Sequence, residues 1–420
     1  MVTFPRRVLA AVAGVVLAST LAACHSSTGS SAAPSLAQVR ALLGRHAQAV
    51  LGHSAAAFLA DVDTATAAGT FRGRQRAEIA ALAGMPLAEW AYAVVAPVTD
   101  GKATATASTR YGAPALIVHL ELTFRLRPAE PTPTTHDLDW TFVRRAGRIL
   151  VAGDDDMAGL GGASWRGPWD FGPIVAREGA TSLVLAHPDQ SAALPSLGAA
   201  AEAAVSEVTS VIGAGWARRV TVVVPSSNAE FDALAGGGPY TDVAAVTVFG
   251  GGGGTAGAAW VVVRADQLAR LSATGERIVL AHEVTHVAMA AATTPISPRW
   301  LIEGFAEYVG NLGTGQPVGV AAGELAAAVR RGTLPSTLPS DTAFDATGSE
   351  LARVYEESWL ACRYLAARVG AKGLVAFYGE VGRSGAPNDT ATADVLASTL
   401  HESLPVFLMK WRAYLKTELS

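Results

Sequence analysis

Residues 282–286 read His-Glu-Val-Thr-His, inside a segment from Gly275 to Ala292 that reads as a helix. Side chains four apart on a helix share one face, so the imidazoles of His282 and His286 can reach the same metal ion. Glu283 stands one step round the helix, about 100° away. There it does not easily share the ligand position, but it can lean over a water at the metal and act as a general base. An ordinary helix with two histidines is the plainer reading of the same five residues.

The next segment, after Pro295 to Arg299, reads Trp300-Leu301-Ile302-Glu303-Gly304-Phe305-Ala306-Glu307-Tyr308, again with helical character. A catalytic zinc site takes three protein ligands and keeps one position open. Two histidines from one helix and a carboxylate from the next would complete such a set. Glu303 is the best candidate. The apolar run before it would bury the carboxylate, which then requires a compensating cation, and Gly304 would let helices approach closely. Glu307, one turn on, is placed to accept the second ring N–H of a ligating histidine and fix its tautomer. A surface glutamate is the alternative for that position.

His-Glu-x-x-His followed by this Trp-Leu-x-Glu-Gly-Phe-Ala-Glu-Tyr segment resembles the gluzincin clan, the thermolysin-like and aminopeptidase-like zinc metallopeptidases. It is most similar to the compact bacterial "peptidase MA-like" domains, over roughly Trp169 to Leu415. The resemblance implies a zinc cofactor on His282, His286 and Glu303, with Glu283 as base and acid in hydrolysis of a peptide or protein substrate. Two features depart from the clan. Only sixteen residues separate His286 from Glu303, a shorter gap than in the large aminopeptidases. A Gly-x-Met-Glu-Asn segment to hold a free substrate N-terminus is also missing, which favours an endopeptidase.

The clan places an edge strand just before the metal helix, along which extended peptide is held by main-chain hydrogen bonds. Ala258 to Asp266 occupies that place in this chain, and a core strand fits the same residues. Downstream, Tyr355 and Ser358 match a Tyr-x-x-Ser segment of these domains. Tyr355 is a candidate donor to a developing oxyanion, with packing as its other role. Glu356 and Glu357 read as a solvated face.

Residues 1–23 read as a signal peptide, with Arg6 and Arg7 ahead of sixteen apolar or small residues from Val8 to Ala23. Leu21-Ala22-Ala23-Cys24 resembles the bacterial lipobox. That resemblance implies lipidation of Cys24 and an exported chain anchored to the outer face of the bacterial cytoplasmic membrane. Residues 24–35 are rich in Ser, Gly and Ala and read as a flexible tether. Cys362 is then left without a partner and reads as a small buried hydrophobe.

The exported part divides into an α+β domain over 36–158 and a gluzincin-like α+β metallopeptidase domain over 159–420 with a helical C-terminal part. In the first, helical spacing from Ser35 to about Ala60 and near Arg76 to Met85 precedes strand-like runs at Trp90–Val98, Ala113–Leu126 and Leu138–Val151. Helices followed by a curved antiparallel sheet resemble the cone-shaped nuclear-transport-factor-2-like fold. His46 and His53 could face one pocket from one helix. Asp154-Asp155-Asp156 reads as a solvated turn, with a cation site as the alternative. The glycines between Gly159 and Gly167 suit a boundary. In the second domain, strands at Thr181–Ala186 and Val220–Val224 flank a helix from Ala192 to Ile212. Two further strands, Val243–Phe249 and Ala258–Arg264, are joined by the loop holding Gly250 to Gly254. No Gly-Lys-Ser/Thr follows those glycines, so this is a connection and not a phosphate loop.

Composition sets the outer limits. With 50% hydrophobic and 16% charged residues the chain of 420 is not a disordered one. The net charge of −4 and the lack of a basic block speak against nucleic acid as a partner. Two cysteines exclude a disulfide scaffold. A lipid-anchored binding or scaffold protein with an inactive peptidase fold is the competing class. A zinc-delivering lipoprotein is disfavoured, because no His-rich or Asp-rich tract accompanies the motif.

Overall fold

The computed structural model describes residues 32–162, 164–237, 243–250, 258–386 and 388–420. The proposed signal peptide, Cys24 and most of the tether lie outside them, as does most of the Gly250–Gly254 loop. Among the described residues no helix is long and apolar enough to cross a membrane.

The first half packs helices α1 (Leu36–Leu51), α2 (Ala55–Ala60), α3 (Gly69–Leu82) and α4 (Gly101–Tyr111) on a four-stranded sheet. Its strands are β1 (Leu87–Pro97), β2 (Ala115–Leu126), β3 (Thr134–Arg145) and β4 (Arg148–Gly153). They pair in chain order, every neighbour antiparallel. Two expectations fail locally, for stated reasons. The run Leu138–Val151 is a hairpin, because Ala146 and Gly147 both take positive φ, as a two-residue turn between right-twisted strands requires. The Ser35–Ala60 helix breaks at His53, which has φ +50°, and Ser54 caps α2 by accepting from Ala57 N–H. His46 and His53 therefore share neither a helix nor a pocket. His46 is wholly buried and stacks on Phe58 at 3.8 Å, where desolvation drops its pKa to about 3. His53 is exposed.

The triple aspartate is not a solvated turn. Asp154 is buried and paired with Arg74 and Arg166, and Asp156 accepts from Tyr111, Thr141 and Arg110. The carboxylates answer three arginines, which leaves no case for a cation there. The chain then crosses to the second half under cover. Trp165 stacks on His136 at 3.6 Å, and Trp169 is buried beside Trp90 and Phe124.

The second half is built on β5 (Val175–Glu178), β6 (Ser182–Ala186), β7 (Val220–Val224), β8 (Ala245–Phe249) and β9 (Ala259–Val263), in the order β5-β6-β7-β9-β8. The inner pairs β6–β7 and β7–β9 are parallel, and the outer two pairs are antiparallel. Helix α5 (Leu194–Ile212) follows β6, α6 (Asn228–Leu234) follows β7, and α7 (Ala265–Leu268) follows β9. The helical remainder is α8 (Ala273–Met289), α9 (Arg299–Asn311), α10 (Val318–Ala321), α11 (Gly323–Arg330), α12 (Gly348–Arg383), α13 (Asn388–Leu400) and α14 (Leu404–Leu419). Helix α12 is interrupted at Gly370, where φ is 75° and ψ 167°.

Both faces of this sheet are covered. Val184, Val222, Val261 and Val263 pack against the helices, whereas Leu183, Leu185, Val223, Trp260 and Val262 pack into the core of the first half. Burial on both sides is why β6, β7 and β9 are mostly apolar with no alternation, Ser182 and Thr221 being the polar exceptions. It also corrects the edge-strand expectation. The strand within Ala258–Asp266 is β9, an inner one, and its outer neighbour β8 is one of the sheet's two edges among the described strands, β5 being the other.

Candidate metal centre

Helix α8 starts at Ser272, whose hydroxyl accepts from Gly275 N–H. Leu280, Ala281 and Val284 bury one side of it in the helical core. That choice turns His282 and His286 toward α9, which is held in turn by the buried Trp300, Leu301, Phe305, Tyr308 and Val309. Two glycines let the helices meet at backbone distance. A Cβ on Gly310 would stand 2.8 Å from Ile278 O of α8, and one on Gly304 would stand 2.3 Å from Ser358 O of α12. The close approach expected of Gly304 is therefore made to α12, where Cys362 is also wholly buried and free, as a small hydrophobe should be.

Glu303 and Glu307, one turn apart on α9, reach opposite nitrogens of the His282 ring. Glu303 Oε2 lies 3.3 Å from His282 Nε2 and 3.5 Å from His286 Nε2, and the two Nε2 atoms are 3.0 Å apart. Glu307 Oε1 lies 3.1 Å from His282 Nδ1, and Asn311 Nδ2 donates to Glu307 Oε2 at 3.0 Å. With Nδ1–H directed at Glu307, the Nε2 lone pair of His282 faces the centre. Nε2 of both imidazoles and Oε2 of Glu303, each able to offer a lone pair, thus converge on one point where a shared proton or a cation would satisfy them. Tetrahedral zinc with bonds of about 2.0–2.1 Å sets its ligand atoms about 3.3 Å apart, and the three edges here fit it. Among the described residues this is the one group of three whose ligand atoms lie together.

The charges agree. Burial alone would discharge His282, yet the Glu303 and Glu307 carboxylates outweigh it and hold its pKa well above the usual imidazole range. Burial likewise opposes ionised Glu303, but His286 and His282 outweigh it and hold the carboxyl far below its ordinary value. The site is thus a pair of imidazoles and a carboxylate already balanced for positive charge.

Glu283 is buried beside His282, on the side of α8 facing β8. Thr247 of β8, which the sequence did not single out, places its hydroxyl 2.7 Å from Glu283 Oε2. Only the tertiary packing of strand on helix could reveal it. Tyr355 on α12 stands with its ring centre 6.3 Å from that of His282 and edge-on to Phe344. Burial, then the carboxylates of Glu303, Glu307 and Glu283, push its hydroxyl pKa well up, so it keeps its proton. Ser358 donates to Val354 O inside its own helix and has no part in the site. Glu356 and Glu357 are not a solvated face. Glu356 accepts from the α11 backbone at Glu324 and Leu325, and burial raises Glu357 to about 7 beside Arg353.

No protein-family model matches the chain, and no curated protein does. Among solved structures it is similar to a substituted M1 zinc metallopeptidase from Deinococcus radiodurans bound to a Tyr-Ser-Ala substrate. The identity is 13% and the TM-score 0.32, over 71% of this chain and 90% of that one. A second structure of the substituted enzyme gives 14% and 0.31 over the same shares. Likeness at this level leaves the function to be read from the side chains.

Proposed function

We propose that the chain is a zinc-dependent peptidase, with His282, His286 and Glu303 as ligands. The convergence of three metal-ligand atoms beside a buried carboxylate carries the reading. A zinc ion held there would supply the Lewis acidity that acidifies a water and polarises a peptide carbonyl. Glu283 takes a proton from the attacking water as the new C–O bond forms, and passes it to the amine as the C–N bond breaks. Tyr355 donates its O–H toward the carbonyl oxygen as negative charge builds on it. Extended peptide pairs by main-chain hydrogen bonds with β8, the edge strand on the Glu283 side. Without a segment to hold a free N-terminus, internal bonds are the expected targets. For location, the reading is an exported protein held to the outer face of the bacterial cytoplasmic membrane by lipid on Cys24.

The test is zinc content and hydrolysis of a peptide library by a chain starting after Cys24. One zinc per chain is expected, lost in Glu303→Ala. Glu283→Gln should keep the metal and lose about 10²–10⁴-fold in turnover. Retained turnover in that variant overturns the base assignment, and stoichiometric zinc without any hydrolysis by the parent chain assigns a binding module.

A further inference from the structure

Val246 and Val248 of β8 are partly buried against the core of the first half. Successive side chains on a strand alternate between faces, so Thr247 points the other way, onto α8. Its hydroxyl lies 2.7 Å from Glu283 Oε2 and 3.0 Å from the Glu283 carbonyl oxygen. One hydrogen thus serves two acceptors on a single residue, which ties the carboxylate and the backbone of Glu283 to the same strand. Glu283 Oε1 has no hydrogen-bond partner among the described residues.

We propose that Thr247 is the positioning residue for Glu283, acting through its hydroxyl and not through its methyl group. A glutamate turns about three side-chain bonds, and the metal ligands on α8 do nothing to fix them. The bond to Oε2 removes that freedom, sets the plane of the carboxylate and leaves Oε1 as the atom that meets the water. The same strand offers its edge to the peptide, so substrate and base are referenced to one element. This inference rests on the peptidase reading.

Thr247→Val keeps the shape and removes the hydroxyl. Misplacement of a reacting group by about 1 Å costs on the order of 10²-fold in rate. In Thr247→Val kcat should accordingly fall about 10- to 100-fold, with KM and zinc content unchanged. Thr247→Ser should restore kcat, because it returns the hydroxyl alone. Crystal structures of the zinc-loaded variants give a readout apart from activity. The Glu283 carboxylate should leave β8 in Thr247→Val and remain on it in Thr247→Ser. Unchanged kcat in Thr247→Val, failure of Thr247→Ser to recover, or loss of zinc with the rate each overturn the proposal. If the zinc-loaded parent chain hydrolyses no peptide, the peptidase reading falls, and the crystallographic comparison still decides whether Thr247 holds Glu283.

Discussion

His282 depends on an unbroken chain of side chains. Asn311 donates to Glu307, Glu307 accepts from His282 Nδ1, and His282 Nε2 is thereby left free for the centre. A ligating imidazole without its outer carboxylate can rotate or change tautomer, at a loss of about 10–100-fold in metal affinity. Glu307→Ala should show that loss in a competitive zinc titration, while Asn311→Ala should show a smaller one in the same direction. Equal affinities in Glu307→Ala and the parent chain would remove Glu307 from the site. The meeting of His282, His286, Glu303 and Glu307 was legible in the sequence because it follows one rule, the four-residue repeat of a helix face, whereas Asn311 was not singled out. His282 and His286 obey it on α8, and Glu303 and Glu307 obey it on α9. Thr247 obeys no such rule. Its meeting with Glu283 joins residues 36 apart through a strand-on-helix contact, and nothing in Val-Thr-Val marks it.

Between elements, the placing of α9 decides whether the two pairs meet at all. Gly304 has Ser358 O and Cys362 Sγ of α12 against its α-carbon, and Gly310 has the α8 backbone against its own. A methyl group at residue 304 would meet backbone, which cannot step aside as a side-chain end can. Gly304→Ala should therefore destabilise the chain by about 1–3 kcal/mol, the usual range for overpacking. It should also weaken zinc binding, because Glu303 is the adjoining residue. Urea unfolding with and without zinc reads both effects, and an unperturbed midpoint would show that α9 and α12 are not in contact as described. The motif's glycine was readable as a close approach, but its partner helix was not, since sequence carries no list of neighbours. The edge strand failed for a related reason. The clan resemblance put the strand just before α8 at the edge of the sheet, with a core strand as the alternative, and it is β8, earlier in sequence than β9, that lies outside it in the sheet.

On the scale of the whole molecule, the five-stranded sheet is the middle layer between the helices that carry His282, His286 and Glu303 and the first half of the chain. Val220–Val224 was legible as a short strand, but the sequence could not say that both of its faces are covered, or that the second cover is the preceding α+β unit. A chain starting at residue 164 would expose Leu183, Leu185, Val223, Trp260 and Val262 to water, and it should be insoluble or molten by near-UV circular dichroism. Glu130 lies in that junction, accepting from Trp260 Nε1 of β9 and from Leu126 N–H of β2. Burial raises its pKa to about 7 against the pull of those two donors. An unfolded glutamate loses its proton near pH 4.3, so between that value and 7 the folded chain holds a proton that the unfolded chain has shed. Stability from Glu130 is then complete below about pH 4.3 and is lost as pH rises toward 7. Glu130→Gln cannot titrate. Its urea midpoint should fall less steeply than the parent's between pH 4.5 and 7.5, and the difference in slope is the measurement, since the amide offers one acceptor where the carboxylate offers two. Parallel slopes would mean that Glu130 is ionised in the junction and that water reaches the seam between the two halves.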